Sequence, residues 1–359
     1  MTISWGTAPA FVGRTLADFG RDIGGRVEAR LRAQLTADRA RYAAVAPGSE
    51  AVVDSLSAAV LSGGKRLRPS LAYLSFLGAG GSPGDPRIVD VGAALELLHA
   101  GCLVHDDIMD DSPTRRGLVT THARYQQEHL AAGYTGEARR FGEGVGMIVG
   151  DMAFFYAIGL LRTTTPETQA VFFELAVDAG VGQYLDLLAA ACPADLAPDP
   201  MTIARYKTGR YTVEGPLRLG AALAGRLVEL SDALTAYGQP VGLAYQLRDD
   251  LLGAFGDPSV TGKPVGDDLR QGKRTLLLGF AKQQASGSPE LLEKVDAGSL
   301  TEAEVPQVQR LLVDLGARDY VESTCQALAV DAVNAIEAAE IDLSVKEYFK
   351  HFAAYVAGV

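Results

Sequence analysis

The feature that most constrains the fold of this chain is an almost unbroken apolar segment from Ile88 to Val104. Its only charged or strongly polar side chains are those of Asp90, Glu96 and His99. A helix that is apolar on nearly every face must be buried among other helices. Helical periodicity runs along much of the chain, and strands alternating with helices are scarce. The sequence therefore predicts an all-α fold with this segment at the centre of a helical bundle.

Capping signals mark several other helices. Leu16–Ala44 is amphipathic and predicts an N-terminal helix. Thr165–Pro166 combines a capping hydroxyl with a proline at the first helical position, which predicts a helix that continues to Leu188. Thr301 and Glu304 have the spacing of a capping box before the C-terminal helical region.

Composition excludes several classes of protein. The net charge of −11 and the pI near 5.0 argue against a general binder of nucleic acid or anionic membranes, because both need a basic surface. The cysteines, Cys102, Cys192 and Cys325, are widely spaced, so neither a disulfide framework nor a zinc site is expected. No stretch resembles an interdomain linker, and a single domain over residues 1–359 is expected.

The chain is also expected to be soluble and cytoplasmic. Met1–Asp18 lacks the basic flank and apolar run of a signal peptide. The longest apolar candidate for a membrane span, Met147–Leu161, carries Asp151 and is interpreted as a buried helix.

Four closely spaced carboxylates follow the first apolar segment: Asp106, Asp107, Asp110 and Asp111. If the helix continues, Asp106 and Asp110 lie one turn apart on the same face. Carboxylates this close repel one another unless hard cations or basic groups neutralise them. A solvated acidic helix end would be the simpler interpretation of one pair of aspartates, but it explains four of them poorly after so long an apolar run.

A second acidic pair, Asp249 and Asp250, ends the apolar run Val241–Leu247. One such pair before a glycine-containing turn is common, so by itself it is weak support for a metal site. Two clusters far apart in sequence predict facing helices that share Mg²⁺ ions, because Mg²⁺ prefers carboxylates, waters and substrate phosphates in an octahedral arrangement.

Basic segments accompany the acidic ones. Ser62–Pro69 combines paired glycines with three cationic side chains, and backbone N–H groups and guanidinium donors are what phosphate oxygens need. The segment is not a Walker A sequence, because the spacing and the hydroxyl residue after lysine are absent. Arg115 and Arg116 follow the first acidic cluster directly. Together these segments favour diphosphate chemistry.

Taken in order and spacing, the motifs resemble those of trans-isoprenyl diphosphate synthases, and most closely the bacterial geranylgeranyl-type enzymes. The motifs are GGKRLRP, DDIMDDSPTRRG, KTG and QLRDDLLGAFGD. The resemblance implies mostly antiparallel helices around a deep central cavity, assembled as a homodimer. It also implies Mg²⁺-dependent condensation of isopentenyl diphosphate with an allylic diphosphate.

The same resemblance implies a role for each matching residue. Three Mg²⁺ ions would be held by Asp106, Asp107, Asp110, Asp249 and Asp250, which form the catalytic set together with Lys207. The isopentenyl diphosphate site would comprise Gly64, Lys65, Arg68, His99 and Arg116. The allylic diphosphate would be contacted by Arg115, Lys207, Thr208, Gln246 and Lys263.

In the implied reaction, bound cations stabilise the leaving diphosphate while the allylic C–O bond ionises. The isopentenyl double bond attacks the carbocation, and one proton passes to the released diphosphate. No protein base is needed, so His105 and His122 are interpreted as structural. The chain departs from the family pattern at Gly253, where the second motif usually carries a third aspartate, and Asp257 is a partial substitute.

The helix before the first acidic cluster is also expected to line the product cavity. Gly101 and Cys102 lie about 6–8 Å along the helix from the metal ligands. Their small size favours a product of twenty carbons, geranylgeranyl diphosphate, and Gly101→Phe is expected to shift the product toward farnesyl diphosphate. Leu98, Phe154 and Phe155 are candidates for the floor of the cavity, and ordinary core packing explains either phenylalanine equally well.

Two other functions stay open from the sequence. A class I terpene cyclase shares the helical fold and the Mg²⁺-triggered ionisation, and Gly253 is compatible with it. Such cyclases ordinarily carry an Asn/Ser/Glu metal triad and need no isopentenyl site. A non-catalytic partner subunit of an active synthase would be expected to have lost acidic ligands, whereas the first cluster is complete here.

Overall fold

The computed structural model describes residues 16–115, 117–193, 196–256, 266–287 and 289–358. These residues form two compact units. The first contains residues 16–170 and Leu219–Gly225, and the second contains Val171–Arg218 and residues 226–358. Nearly all of the described chain is helical, which confirms the all-α prediction. The single domain over residues 1–359 stays a prediction.

The first unit consists of helices and one small antiparallel hairpin, in which Thr114 pairs with Val119 and Arg115 with Leu118. Its elements are α1 (Leu16–Ala43), α2 (Ala51–Leu61), α3 (Leu67–Gly78), α4 (Arg87–Met109), β1 (Thr114–Arg115), β2 (Leu118–Val119), α5 (Thr121–Ala132), α6 (Ala138–Leu160) and a 3₁₀ turn (Leu161–Thr163).

Helix α4 lies at the centre of the first unit, as its apolar sequence predicts. It packs against α1, α3 and α6. Glu96 is buried within it and forms an ion pair with the buried Arg66, whose guanidinium also donates to the Val60 carbonyl at 3.1 Å. A buried charge is tolerated only when it is paired, so this ion pair explains how a glutamate can lie in so apolar a helix.

Helix α6 differs from the sequence interpretation. The interpretation of Met147–Leu161 as a buried helix is wrong, because Met147, Ile148, Phe155 and Ile158 are exposed. One face of α6 packs against α4 and α5, while the exposed residues lie on the rest of its circumference. Apolar composition alone therefore overestimates how much of this helix is covered.

Two helical stretches of the described chain are long and apolar enough to cross a membrane by length and composition alone, Arg87–Met109 and Ala138–Thr163. In the most apolar window of each, 67% of the residues are buried in the first stretch and 39% in the second. The first has the burial of a core helix, and core helices meet the same criteria.

Two helices, α7 (Pro166–Ala191) and α9 (Gly215–Leu223), contribute residues to both units. The second unit otherwise consists of α8 (Pro200–Ala204), a π-helical segment (Arg205–Glu214), α10 (Leu227–Phe255), α11 (Asp267–Arg270), α12 (Leu276–Gln284), α13 (Glu290–Asp296), a 3₁₀ turn (Glu302–Glu304), α14 (Val305–Asp314), α15 (Ala317–Ala338) and α16 (Leu343–Ala357). Helix α10 packs against α15, α16 and the π-helical segment. Tyr237 of α10 is fully buried, and its hydroxyl donates to the Phe349 carbonyl of α16 at 2.7 Å.

The capping predictions are confirmed. The Thr165 hydroxyl accepts a hydrogen bond from the Thr168 amide at 3.2 Å, where α7 begins. Thr301 and Glu304 form a reciprocal capping box, in which the Thr301 amide donates to Glu304 Oε2 at 3.0 Å. The predicted N-terminal helix is α1, which ends at Ala43.

Candidate active site

The first acidic cluster lies at the C-terminal end of α4, in the first unit. Asp106 and Asp107 lie in the last turn, and the exposed Asp110 is the residue that caps the helix. The Asp110 amide donates to the Asp106 carbonyl at 2.9 Å, so these two residues are one helical turn apart, as the sequence predicts.

Arg115 neutralises part of this cluster. From the β1–β2 hairpin, its Nε donates to Asp107 Oδ1 at 2.6 Å and its Nη2 donates to Asp106 Oδ2 at 3.0 Å. Burial raises the pKa of Asp107, although the nearby Arg115 charge opposes the rise. The guanidinium of Arg115 therefore lies between two carboxylates of this helix end.

The predicted phosphate-binding segment is a left-handed turn between α2 and α3. Gly63 and Gly64 have φ angles of 89° and 128°, which glycine adopts at little cost. Lys65 is exposed, whereas Arg66 is buried against Glu96 and serves the fold. The role of Lys65 in the isopentenyl diphosphate site therefore stays a prediction, and Arg66 is held by its ion pair inside the fold.

Two further residues predicted for the isopentenyl site are half-buried in the same unit. Arg68 lies in the first turn of α3, and His99 lies in α4, against which α3 packs. The predicted residue Arg116 lies outside the described residues.

In the second unit, Lys207 and Thr208 lie in the π-helical segment. Lys207 Nζ donates to Asp186 Oδ2 of α7 at 2.5 Å, and Thr208 Oγ1 donates to Gln246 Oε1 of α10 at 2.5 Å. Such π-helical turns are rare and occur frequently at functional sites. The segment thus holds one ammonium and one hydroxyl between two helices of the unit.

Two glycines allow the backbone of the π-helical segment to approach these helices. A Cβ atom at Gly182 would lie 2.3 Å from the Lys207 amide nitrogen, and one at Gly242 would lie 2.6 Å from the backbone of the segment. Asp186 follows Gly182 by one helical turn, and Gln246 follows Gly242 in the same way, so each polar side chain shares a face with its glycine. The sequence interpretation missed Asp186, whose signal is a lone carboxylate in the apolar part of α7.

The second acidic pair lies near the end of α10. Asp249 is exposed, while Asp250 is 6% exposed, accepts a hydrogen bond from Gln246 Nε2 at 2.6 Å and pairs with Lys273 Nζ at 3.3 Å. Burial raises the pKa of Asp250 to about 6, although Lys273 opposes the rise. Burial alone would lower the pKa of Lys273, but the surrounding carboxylates raise it above its usual value.

The donor set fits Mg²⁺. Among the described residues, no group of three or more His, Cys, Asp or Glu side chains is close enough to form a metal cage by itself. Mg²⁺ is usually bound through one or two carboxylates together with waters and substrate phosphates, and two acidic pairs of this kind are present. Two other predicted residues, Asp257 and Lys263, lie outside the described residues.

Both histidines near the first cluster have structural contacts, in agreement with their interpretation. His105 Nε2 lies 3.1 Å from the Met147 carbonyl oxygen, and its ring packs edge-on against Phe154. His122 is buried, with its Nδ1 3.3 Å from Thr120 Oγ1.

The contacts of Gly101 revise the predicted wall of the product cavity. A Cβ atom at Gly101 would lie 2.6 Å from Phe154 Cε1 and 3.0 Å from the Gly150 carbonyl oxygen. Gly101 therefore lies where α4 and α6 are in close contact, and a side chain at this position would have no open space to enter. We now expect Gly101→Phe to disrupt this contact rather than to shorten the product.

The other candidates for the wall divide into two groups. Phe155 is 72% exposed on α6, so it is no floor of a cavity inside this unit. Cys102 and Leu98 precede Asp106 by four and eight residues and lie on the same face of α4. Leu98 is buried and Cys102 is half-buried, and both remain candidates.

Comparison with known proteins shows the family to which the chain belongs. Residues 50–312 match the family described as polyprenyl synthetase. The chain is 36% identical to the geranylfarnesyl diphosphate synthase of Aeropyrum pernix over 75% of its own length and 83% of that protein. It is 32% identical to the geranylgeranyl diphosphate synthase of Mycobacterium tuberculosis over 75% of its own length and 73% of that protein.

The fold is similar to a crystal structure of geranylgeranyl pyrophosphate synthase from Corynebacterium glutamicum complexed with isoprenyl diphosphate and magnesium. The TM-score is 0.86, with 34% sequence identity, and the match covers 96% of this chain and 99% of that one. The chain thus has the isoprenoid synthase fold that its motifs imply. Because the family match extends over well more than half of the sequence, the chain belongs to the polyprenyl synthetase family and is one of its prenyltransferases.

Proposed function

We propose that this chain is a geranylgeranyl diphosphate synthase, which condenses isopentenyl diphosphate with an allylic diphosphate to give a linear, all-trans product of twenty carbons. The observation that carries the proposal is the end of α4, where Asp106 and Asp107 are paired with Arg115 and Asp110 is exposed. Carboxylates beside a guanidinium suit a Mg²⁺–diphosphate group, because they bind the metal while Arg115 binds phosphate oxygens.

Mg²⁺, in the three ions that the motifs imply, would neutralise the diphosphate and favour its departure. The aspartates of both acidic clusters would hold the metal. Lys207 and Thr208 would donate to oxygens of the allylic diphosphate, and Lys65, Arg68 and His99 would bind the diphosphate of isopentenyl diphosphate.

The bonding changes need no nucleophile from the protein. The allylic C–O bond breaks, and its electron pair leaves with the diphosphate. The isopentenyl double bond supplies the electrons of the new C–C bond, and the positive charge passes to the other carbon of that double bond. A carbon next to this cationic carbon then loses a proton to the released diphosphate, and its C–H electrons form the new double bond. The cationic side chains act by stabilising the charge that develops on the leaving group.

The product length is the finer part of the proposal. Relatives of this chain include synthases named for geranylgeranyl and geranylfarnesyl products, so membership of the family leaves the length open. The small side chain of Cys102, one turn before Asp106, supports passage of a growing chain beyond fifteen carbons. Leu98, one further turn away, is our candidate for the residue that stops it.

We also propose that the chain works as a homodimer. Each unit exposes an apolar stripe on one helix, and large exposed apolar patches mark interaction surfaces. The stripes are Met147, Ile148, Phe155 and Ile158 on α6, and Phe173, Val177, Val181 and Tyr184 on α7. Phe155→Glu should yield monomers in light scattering, whereas Val228→Glu, at another exposed apolar residue, on α10, should not. A dimeric Phe155→Glu variant would contradict the assignment of this stripe.

The proposed activity is tested with labelled isopentenyl diphosphate and each of the dimethylallyl, geranyl and farnesyl diphosphates in turn, followed by chromatography of the products. We expect a twenty-carbon product, and at least about a hundredfold lower turnover for Asp106→Asn. Asp331→Asn, which removes one exposed carboxylate from α15, is the matched control and should leave turnover unchanged. Equal loss in both variants, or no loss in either, would contradict the role of Asp106.

A further inference from the structure

One row of residues on α7 follows the π-helical segment along its length. Its members are spaced by four positions and form a continuous row on the helix surface: Glu174, Asp178, Gly182 and Asp186. At one end of the contact, Lys207 Nζ donates to Asp186 Oδ2, and a Cβ atom at Gly182 would lie 2.3 Å from the Lys207 amide nitrogen. The two carboxylates that precede Gly182 in this row contact the other end of the segment.

Arg210 binds both of these carboxylates. Its Nη2 donates to Glu174 Oε1 at 2.9 Å, and its Nη1 lies 2.9 Å from Asp178 Oδ2. Its Nε lies 3.5 Å from Oε2 of Glu214, the last residue of the segment. Glu214 is 2% exposed and accepts a hydrogen bond from Thr235 Oγ1 of α10 at 3.2 Å. The guanidinium therefore joins the segment to α7 directly and to α10 through Glu214.

These contacts lie at a turn whose conformation is unusual. The Gly215 amide donates to the Arg210 carbonyl, five residues before it, so Arg210 takes part in the last π-helical turn. An α-helical turn closes over four residues, with 3.6 residues per turn. Relaxation of this turn to the α-helical pattern would rotate Lys207 by about 100° relative to α9. The direction of the Lys207 side chain therefore depends on the turn that Arg210 holds.

We propose that Arg210 is a positioning residue for the allylic diphosphate site. Its ion pairs with α7 hold the π-helical turn in place, and this turn sets the direction in which Lys207 and Thr208 project. The inference rests on the proposed function, in which these two side chains bind the allylic diphosphate. Arg210 acts through the segment and needs no contact of its own with the substrate.

Arg218 is a matched control for Arg210. The two arginine side chains are equally exposed, at 18%, and Arg218 Nη1 donates to the same Glu174 Oε1 at 3.1 Å. Arg218 lies on α9, outside the π-helical segment. Arg210→Gln and Arg218→Gln therefore each remove one guanidinium from Glu174, but only the first removes an anchor of the segment. A loss of stability can follow from either variant, whereas a loss of positioning should follow from Arg210→Gln alone.

The test is steady-state kinetics of the full chain in saturating Mg²⁺, below the melting temperature of each variant. Farnesyl diphosphate is varied first, and isopentenyl diphosphate second. Arg210→Gln should lower kcat/KM for farnesyl diphosphate at least about tenfold and leave KM for isopentenyl diphosphate within about twofold of wild type. Arg218→Gln should leave both values within about twofold. Equal values of kcat/KM in the two variants would overturn the inference.

A double-mutant cycle tests whether Arg210 acts through the segment. In Lys207→Met protein, Arg210→Gln should lower kcat/KM for farnesyl diphosphate by no more than about threefold, because the main group that it positions is already absent. The same tenfold loss in both backgrounds would mean that Arg210 acts independently of Lys207, and would overturn the inference.

A milder variant covers the case in which Arg210→Gln does not fold. Asp178→Asn removes one anchor on α7 but leaves Arg210 paired with Glu174 and Glu214. It should lower kcat/KM for farnesyl diphosphate about threefold or more, and an unchanged value would overturn the inference.

The outcomes also distinguish this inference from the proposed function. If wild-type protein condenses the two substrates and Arg210→Gln behaves like Arg218→Gln, only the role of Arg210 is wrong. If wild-type protein condenses isopentenyl diphosphate with no allylic diphosphate, both proposals fail.

Discussion

The contact between Gly101 and α6 gives a quantitative prediction for Gly101→Ala. The added methyl group would lie 2.6 Å from the Phe154 ring and 3.0 Å from the Gly150 carbonyl oxygen, so either the ring or the helix must move. Overpacking of this kind costs about 1–3 kcal/mol, and the rigid backbone on one side places the site at the upper end. The higher helix propensity of alanine returns about 1 kcal/mol. The expected net loss is about 2 kcal/mol.

The assay is thermal unfolding monitored by calorimetry or circular dichroism. A loss of about 2 kcal/mol corresponds to a melting temperature lower by about 3 °C if all 359 residues unfold as one domain. Gly144→Ala is the matched control, because it lies in the interior of α6 and its added methyl group would meet nothing within 4 Å. It should leave the protein as stable as wild type or slightly more stable.

Two results would refute this reasoning. If Gly101→Ala is as stable as Gly144→Ala, then the Phe154 ring or the α6 backbone moves aside at little cost in free energy. A stable Gly101→Phe enzyme with a shorter product would restore Gly101 to the wall of the product cavity.

Three other predictions concern separate parts of the chain. Cys102→Phe should shorten the product to fifteen carbons or fewer, measured by chromatography, and an unchanged product would exclude Cys102 from the wall. Because burial raises the pKa of Asp250 from 3.8 to about 6, its ionisation removes about 3 kcal/mol of stability as pH rises between these values. In EDTA, the stability of wild type to urea should therefore fall more steeply between pH 4 and pH 6 than that of Asp250→Asn, and equal slopes would contradict this. Gly242→Ala should displace the π-helical segment, because its added methyl group would lie 2.6 Å from the Gly209 backbone, and should lower the melting temperature at least as much as Gly101→Ala. It should also lower kcat by about tenfold or more at temperatures where the variant is folded, because Lys207 and Thr208 move. Full activity in that variant would contradict the role of the segment.

Local pattern was sufficient to predict much of the fold. The apolar run before Asp106 predicts α4, and the signals at Thr165 and Thr301 predict two helix starts that the structure confirms. These features depend on residues a few positions apart, so they can be read from the chain. The burial of α6 could not be predicted in this way, because it depends on how many neighbouring helices cover the apolar surface.

The finer details of the site depend on contacts between distant residues. Gly101 and Cys102 are neighbours in sequence and equally small, yet the rotation of about 100° between them directs Gly101 against Phe154. Asp268 lies in a different helix from Gly253, so its close approach to that glycine has no local signal. The π-helical turn around Lys207 likewise depends on the close approach of other helices.

The central claim is that this chain alone joins isopentenyl diphosphate to an allylic diphosphate with the help of Mg²⁺. The most direct measurement is the incorporation of labelled isopentenyl diphosphate by the purified chain, with farnesyl diphosphate as primer, in Mg²⁺ and then in EDTA. We predict geranylgeranyl diphosphate in Mg²⁺ and no incorporation in EDTA. Failure to incorporate label in Mg²⁺ with any allylic primer, as expected of a non-catalytic partner subunit or of a cyclase, would contradict the claim.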